Sequence, residues 1–337
     1  MREVPLSEAV GLTLGHDLTQ VIPGQFKGVR FQRGHVVAEA DLPVLRAMGK
    51  EHLFVWEQAD GLVHEQDAAS RAASALAGGG LEAEGPEEGK VTLRAAHDGL
   101  LQLNTEAIRA LNGQGQILVV TRPDRMPVHR QERVAAVKCV PLLVEEAVVE
   151  RAVSYGAVLR VRPFSQLGVA LLTTGQEVFS GKITDAFRPR VESKLHPFGA
   201  RIVRHALLPD DRSLIAHAIA AAAADPKVDI ILVSGGMSVD PDDRTPGAIQ
   251  DSGARLICHG TPVLPGSMAI VAVHGDKPIL GLPACVIADP VTVFDLLLPR
   301  VLAGEVPTAD QVADLGVGGL LEWMAQAEGA SPWRWNG

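Results

Sequence analysis

The chain has 337 residues, 47% of them hydrophobic, which is enough for about two domains with apolar cores and excludes a disordered or fibrous protein. Its 31 Lys and Arg against 40 Asp and Glu give a formal net charge of −9, which argues against general affinity for nucleic acid or an anionic membrane surface. Aromatic residues make up 4%, too few for a row of base-stacking platforms, and Cys139, Cys258 and Cys285 lie far apart with no CxxC pair, so neither a zinc ribbon nor a disulfide framework is indicated.

In chain order, the first ten residues carry Arg2, Glu3 and Glu8 where a signal peptide needs an apolar run, and later apolar stretches are too short to span a bilayer. A cytoplasmic protein is expected. Residues 1–76 read as a small α+β unit, with a helix over 41–48 ending at Gly49 and a strand at 53–56. Residues 77–90 pack five glycines, Pro86 and four glutamates into fourteen positions, the composition of a linker. Over 91–164 short β-like runs at 100–103, 116–120, 134–144 and 157–161 alternate with turn formers such as Asn112-Gly113, predicting a β-rich subdomain.

Residues 165–304 alternate in the manner of a doubly wound, mostly parallel sheet in a three-layer α/β sandwich. Strands are expected at 169–173, 202–208, 228–233, 268–273 and 278–282. Helices are expected at 186–198, after Ser213 as a cap, and from Asp289-Pro290 with a kink near Pro299. The bare apolar run at 228–233 fits a strand covered on both faces. Residues 305–337 form a tail holding Trp323, Trp333 and Trp335, indole rings that water disfavours, and this predicts a homo-oligomer.

Ligands of such sheets bind beyond the carboxyl ends of the strands, where three motifs recur. Thr173-Thr174-Gly175-Gln176-Glu177 offers hydroxyls, a close-approach glycine and a carboxylate. Ser234-Gly235-Gly236-Met237-Ser238, with Asp240, Asp242 and Asp243 following, offers amides to an anion and carboxylates to a hydrated cation. Gly281-Leu282-Pro283-Ala284 ends the strand at 278–282. Each motif also has a bland reading: Gly-Gly after a strand is often only a turn, and an Asp run is often a solvated loop or helix cap. Between Gly181 and His205, Lys182, Arg188, Arg190, Lys194, Arg201 and Arg204 outnumber Asp185 and Glu192. That local excess of +4 would attract a phosphate, with Lys182 and Arg188 nearest the first loop, unless it is a solvated helix face.

At these residues the sequence resembles the molybdopterin-binding domain shared by molybdopterin adenylyltransferases and molybdenumtransferases. The family's Thr-Gly-Asp-Glu is matched by Thr174-Gly175-Gln176-Glu177, its Tyr-Asp-Ser/Thr-Asn loosely through Asp185, and its Pro-Asp-Asp by Pro209-Asp210-Asp211. Its Gly-Gly-x-Ser element is matched by Gly235, Gly236, Ser238 and Asp243, with Thr245-Pro246 following. The segments 8–17 and 34–55 resemble a shortened copy of the molybdenumtransferase framework.

The resemblance implies a molybdopterin-binding protein of molybdenum cofactor biosynthesis, with molybdopterin or its adenylylated form as ligand. In the enzyme reading Asp210 and Asp243 are catalytic, Mg²⁺ sits on Asp210, Asp243 and Glu177, and molybdate is the second substrate. Implied ligand contacts are Thr173, Thr174, Gly175, Glu177, Lys182, Asp185, Arg188, Ser234, Gly235, Gly236, Ser238, Thr245, Pro265, Gly266, Gly281 and Pro283. The competing reading is a carrier or sensor without turnover, and a third is a nucleotide pyrophosphatase or amidase sharing the domain. Gln176 stands where the family has Asp, Leu264-Pro265-Gly266-Ser267-Met268 has lost both lysines of Lys-Pro-Gly-Lys-Pro, and Ala284 stands in the Pro-Gly loop after Pro283.

Overall fold

A computed structural model describes residues 1–56, 61–237 and 243–321. The contacts divide the chain into two units, neither contiguous in sequence: 1–94, 103–122 and 133–160 in the first, and 95–102, 123–132 and 161 onward in the second. Among the described residues no helix is long and apolar enough to cross a membrane.

The first unit is rich in strands. Arg2–Pro5 pairs antiparallel with His52–Val55, and Leu18–Ile22 forms a hairpin with Phe26–Phe31. Val4, Leu14, Leu45, Leu53 and Val55 share one core. The helix expected at 41–48 is Leu42–Ala47, with Pro43 in its first turn and Gly49 just beyond it at φ +76°, a left-handed exit that glycine takes without strain. Residues 77–90 are no linker. Leu81–Glu87 is a strand at one end of a four-stranded sheet whose order continues through Lys90–Ala95, Arg133–Cys139 and Ile117–Thr121. Its side chains are almost all exposed, so this edge has nothing apolar to show in the sequence.

The second unit is built on six strands: β1 (Gly168–Thr174), β2 (Arg201–Leu208), β3 (Ile230–Ser234), β4 (Arg255–His259), β5 (Ile270–His274) and β6 (Lys277–Leu282). Their order is β2-β1-β3-β6-β5-β4. The β1/β2, β1/β3 and β3/β6 pairs are parallel, whereas β5 runs against both neighbours. Side-chain alternation divides the apolar strands between two cores. Val169, Leu171, Ile230, Leu232, Leu280 and Leu282 pack with α1 (Phe187–Leu195) and α4 (Val293–Leu302). Ala170, Leu172, Ile231, Val233 and Ile279 pack with α2 (Arg212–Ala224) and α3 (Thr245–Asp251). Helices on both faces make the three-layer α/β sandwich, and every residue of β1 and β3 is buried.

Two helix starts differ from expectation. Asp211, not Ser213, caps α2 by accepting from Leu214 N at 2.9 Å. Helix α4 begins at Val293 instead of at Asp289-Pro290, because Thr292 and Asp295 form a reciprocal capping box. Pro299 lies inside that helix, as expected.

Candidate functional site

The site is assembled where β1, β2 and β3 end side by side. Thr173 and Ser234 are register partners, so their side chains share the α1 face, while Thr174 points to the α3 face. Thr174 Oγ1 donates to Ser234 O at 3.0 Å and lies 3.2 Å from Thr245 Oγ1. Thr245 Oγ1 in turn donates to Gly235 O at 2.9 Å. These two buried hydroxyls stitch the loops after β1 and β3 to the start of α3.

Gly235 admits no side chain. Its φ is +92°, and a Cβ there would lie 2.2 Å from Thr174 O. Gly236 follows at φ +56°, with Thr245 Oγ1 and Asp243 Oδ1 at 3.2 and 3.4 Å from the place of a Cβ. Two left-handed glycines in succession bring the backbone against both loops. Ser234 Oγ beside them is fully buried and accepts or donates no hydrogen bond within the described residues. Ser238, expected to complete this loop, lies outside the described residues, as do Asp240, Asp242 and the three tail tryptophans.

The first loop is fixed from β2. Gly175 N donates to Leu208 O at 3.1 Å and Gln176 N to Asp210 Oδ2 at 2.8 Å. Asp210 is thereby turned back on the loop. Glu177 is exposed on the short helix Gln176–Phe179, and among the described residues no three His, Cys, Asp or Glu side chains form a group able to hold a metal ion. The expected Mg²⁺ set of Glu177, Asp210 and Asp243 is not gathered into one cluster among the described residues, and Asp210 Oδ2 accepts from the Gln176 amide.

Asp185 lies on the α1 face. Its Oδ2 is 3.3 Å from Thr173 Oγ1 and 3.0 Å from His205 Nε2, and its Oδ1 accepts from Phe187 N at 2.8 Å. His205 carries no motif and was not expected here. Only the pairing of Leu171 with His205 across β1 and β2 brings it to this face.

The six cations after Gly181 separate by role. Arg190 donates to Val286 O at 3.1 Å and Asp289 O at 2.7 Å, and Lys194 to Pro290 O and Asp295, so both brace the segment before α4. Burial lowers the Lys194 pKa, against the pull of Asp295. Arg204 contacts Ala221 O and Asp225, and Arg188 pairs with Glu192 along α1. Lys182 and Arg201 are exposed.

Pro265, Gly266, Gly281 and Pro283 play packing parts. Pro265 O accepts from Val293 N at 3.0 Å, and a Cβ on Gly266 would meet Val293 Cγ1 at 2.4 Å. One on Gly281 would press on Ile270 and Met237, and Pro283 is buried with its carbonyl taking Val286 N.

Comparison with known proteins matches two segments. Residues 3–57 match a domain family of unknown function, and residues 170–303 match the family described as probable molybdopterin binding domain. A CinA-like protein of Citrifermentans bemidjiense is 36% identical over 77 residues, 23% of this chain and 18% of that protein. A molybdopterin molybdenumtransferase of Synechococcus elongatus is 27% identical over 150 residues, 42% of this chain and 37% of that protein. The chain thus matches well under half the length of either relative. Among solved structures, the molybdopterin biosynthesis enzyme MoaB of Thermus thermophilus aligns at 22% identity and a TM-score of 0.33, covering 41% of this chain and 98% of that one. The strand ends and paired glycines described above fall within residues 170–303, the segment that matches the family described as probable molybdopterin binding domain.

Proposed function

We propose that the second unit binds molybdopterin, free or adenylylated, beyond the ends of β1 and β3, and that the protein works in cytoplasmic molybdenum cofactor biosynthesis. The observation that carries this reading is the stitched trio of Thr174, Gly235 and Thr245, which holds two left-handed glycines at the mouth of a parallel sheet. Successive amides in such a turn suit a phosphate, and Ser238 would add a hydroxyl. Lys182 and Arg188, exposed on the segment that follows the first loop, would supply the compensating charge that a chain of net −9 otherwise lacks.

In the enzyme reading the protein is a molybdenumtransferase. The chain's part is orientation: Thr173 and Thr174 present hydroxyls, Asp210 fixes the first loop, and Asp243 stands beside Gly236 where molybdate would approach. A second reading, a carrier or sensor without turnover, is favoured by one observation. Leu264 and Ser267 stand where the family has lysines, and the intervening Pro265-Gly266 braces Val293.

Titration with molybdopterin and with its adenylylated form, with and without molybdate and Mg²⁺, separates the readings. Binding accompanied by AMP release and lost in Asp243→Ala marks the transferase, and binding without release marks the carrier. Absence of binding to either form overturns both.

A further inference from the structure

Asp185 is the most heavily used carboxylate at the strand ends. Oδ2 is shared between the Thr173 hydroxyl at 3.3 Å and His205 Nε2 at 3.0 Å, while Oδ1 takes Phe187 N at 2.8 Å and Arg188 N at 3.4 Å. The Asp185 side chain is only 10% exposed and that of His205 18%. A carboxylate so far removed from water keeps its orientation only while its donors stay in place. Two of those donors are the first amides of α1, on the segment that carries Arg188, and a third is a hydroxyl at the mouth of the sheet.

Thr173 Oγ1, itself buried, lies 3.3 Å from Asp185 Oδ2 and 3.5 Å from His205 Nε2, so both side chains converge on its hydroxyl. We infer that His205 is a positioning residue of the pterin site. By holding Oδ2, it sets the plane of the Asp185 carboxylate, and through it the start of α1 and the contact with the Thr173 hydroxyl. The inference rests on the proposed molybdopterin reading and deepens it by naming a residue that orients the site.

The test is a double-mutant cycle with a ligand-free arm. His205→Leu removes the donor, His205→Gln returns an N–H at similar reach, and Asp185→Asn removes the charge it serves. Molybdopterin affinity is expected to fall about ten-fold in His205→Leu and to recover most of that loss in His205→Gln. In the Asp185→Asn background, His205→Leu is expected to change affinity by less than about two-fold.

Without ligand, amide exchange at Phe187 and Arg188 is expected to speed up in His205→Leu and slow again in His205→Gln. Equal affinity losses in both backgrounds, or exchange unaltered by His205→Leu, overturn the inference. If the wild-type protein binds no molybdopterin, the functional reading fails by itself, while the exchange arm still decides whether His205 holds Asp185.

Discussion

Gly235 is the residue least able to change. A methyl group there meets the Thr174 carbonyl at 2.2 Å in a backbone conformation that side chains disfavour, so Gly235→Ala is expected to lower unfolding free energy by about 2 kcal/mol or more. It should also abolish ligand binding. Urea denaturation beside the titration checks both, and a stable, binding-competent variant would show that the turn is not the site's frame. Thr245→Val, which keeps the shape and deletes the hydroxyl joining two loops, should cost about 1 kcal/mol by the same measurement.

The paired glycines after an apolar strand were legible because only glycine fits there, and composition records that. The aim of Asp210 was not. In sequence it is one of two adjacent aspartates before a helix, and whether it faces a cation or the Gln176 amide depends on how β1 and β2 end together. His205 was still less visible, since its meaning depends on strand register and on a loop twenty residues away.

Among the elements, α1 shows why a charge count misleads. The local excess of +4 reads as a phosphate funnel, yet Arg190 and Lys194 serve carbonyls before α4. Arg190→Met is therefore expected to lower stability by about 1–2 kcal/mol and leave ligand affinity unchanged, whereas Lys182→Ala should do the reverse. Thermal unfolding and titration on the two variants read this directly, and equal affinity losses would restore the funnel.

In the first unit, the helix Glu65–Leu76 is capped by His64, whose Nδ1 accepts from Gln66 N at 3.2 Å. Only an unprotonated Nδ1 can do so. Burial lowers the His64 pKa, helped by Arg33, against smaller raising effects from Gly15 O, Asp67 and Asp17; burial and Lys50 likewise lower His16, against Asp17. Both groups thus bind protons more readily unfolded. Stability is expected to be level above the unfolded histidine range, to fall as pH drops through about 6.5 toward the lower folded values, and to stay reduced beneath them. Denaturation at pH 7.5 and 5.5 measures this, and His64→Asn should flatten part of the slope.

For the whole molecule, the borders of the two units do not follow the segments read from the sequence. Residues 95–102 and 123–132 lie in the β-rich stretch and yet belong to the second unit. Half-buried Glu305 shows how they are held. It accepts from Arg300 at 2.7 Å, Arg125 at 2.8 Å and Gln102 at 2.6 Å, three partners from three stretches of chain. Burial alone would raise its pKa, but the two guanidinium groups hold it below the usual range. Glu305→Ala leaves the 3%-exposed Arg300 without its carboxylate and is expected to cost about 3 kcal/mol or more. A denaturation midpoint within error of wild type would remove the network from the list of supports. The homo-oligomer expected from the tail is tested by the solution mass of a chain cut after residue 321, which should fall to that of the monomer.

The Gln102 to Glu305 bond joins residues 203 positions apart, and a ribosome adds about 5–20 residues per second. Residues of the second unit that emerge early must therefore wait about 10–40 s for the carboxylate that anchors them. During that interval 95–102 and 123–132 can already pair with each other, Leu100 with Pro127 and Gly99 with Val128, but Gln102 and Arg125 lack the carboxylate that joins them to the end of the unit, so the newborn chain is most open to aggregation and to chaperones after its first unit is complete and before residue 305 has left the ribosome.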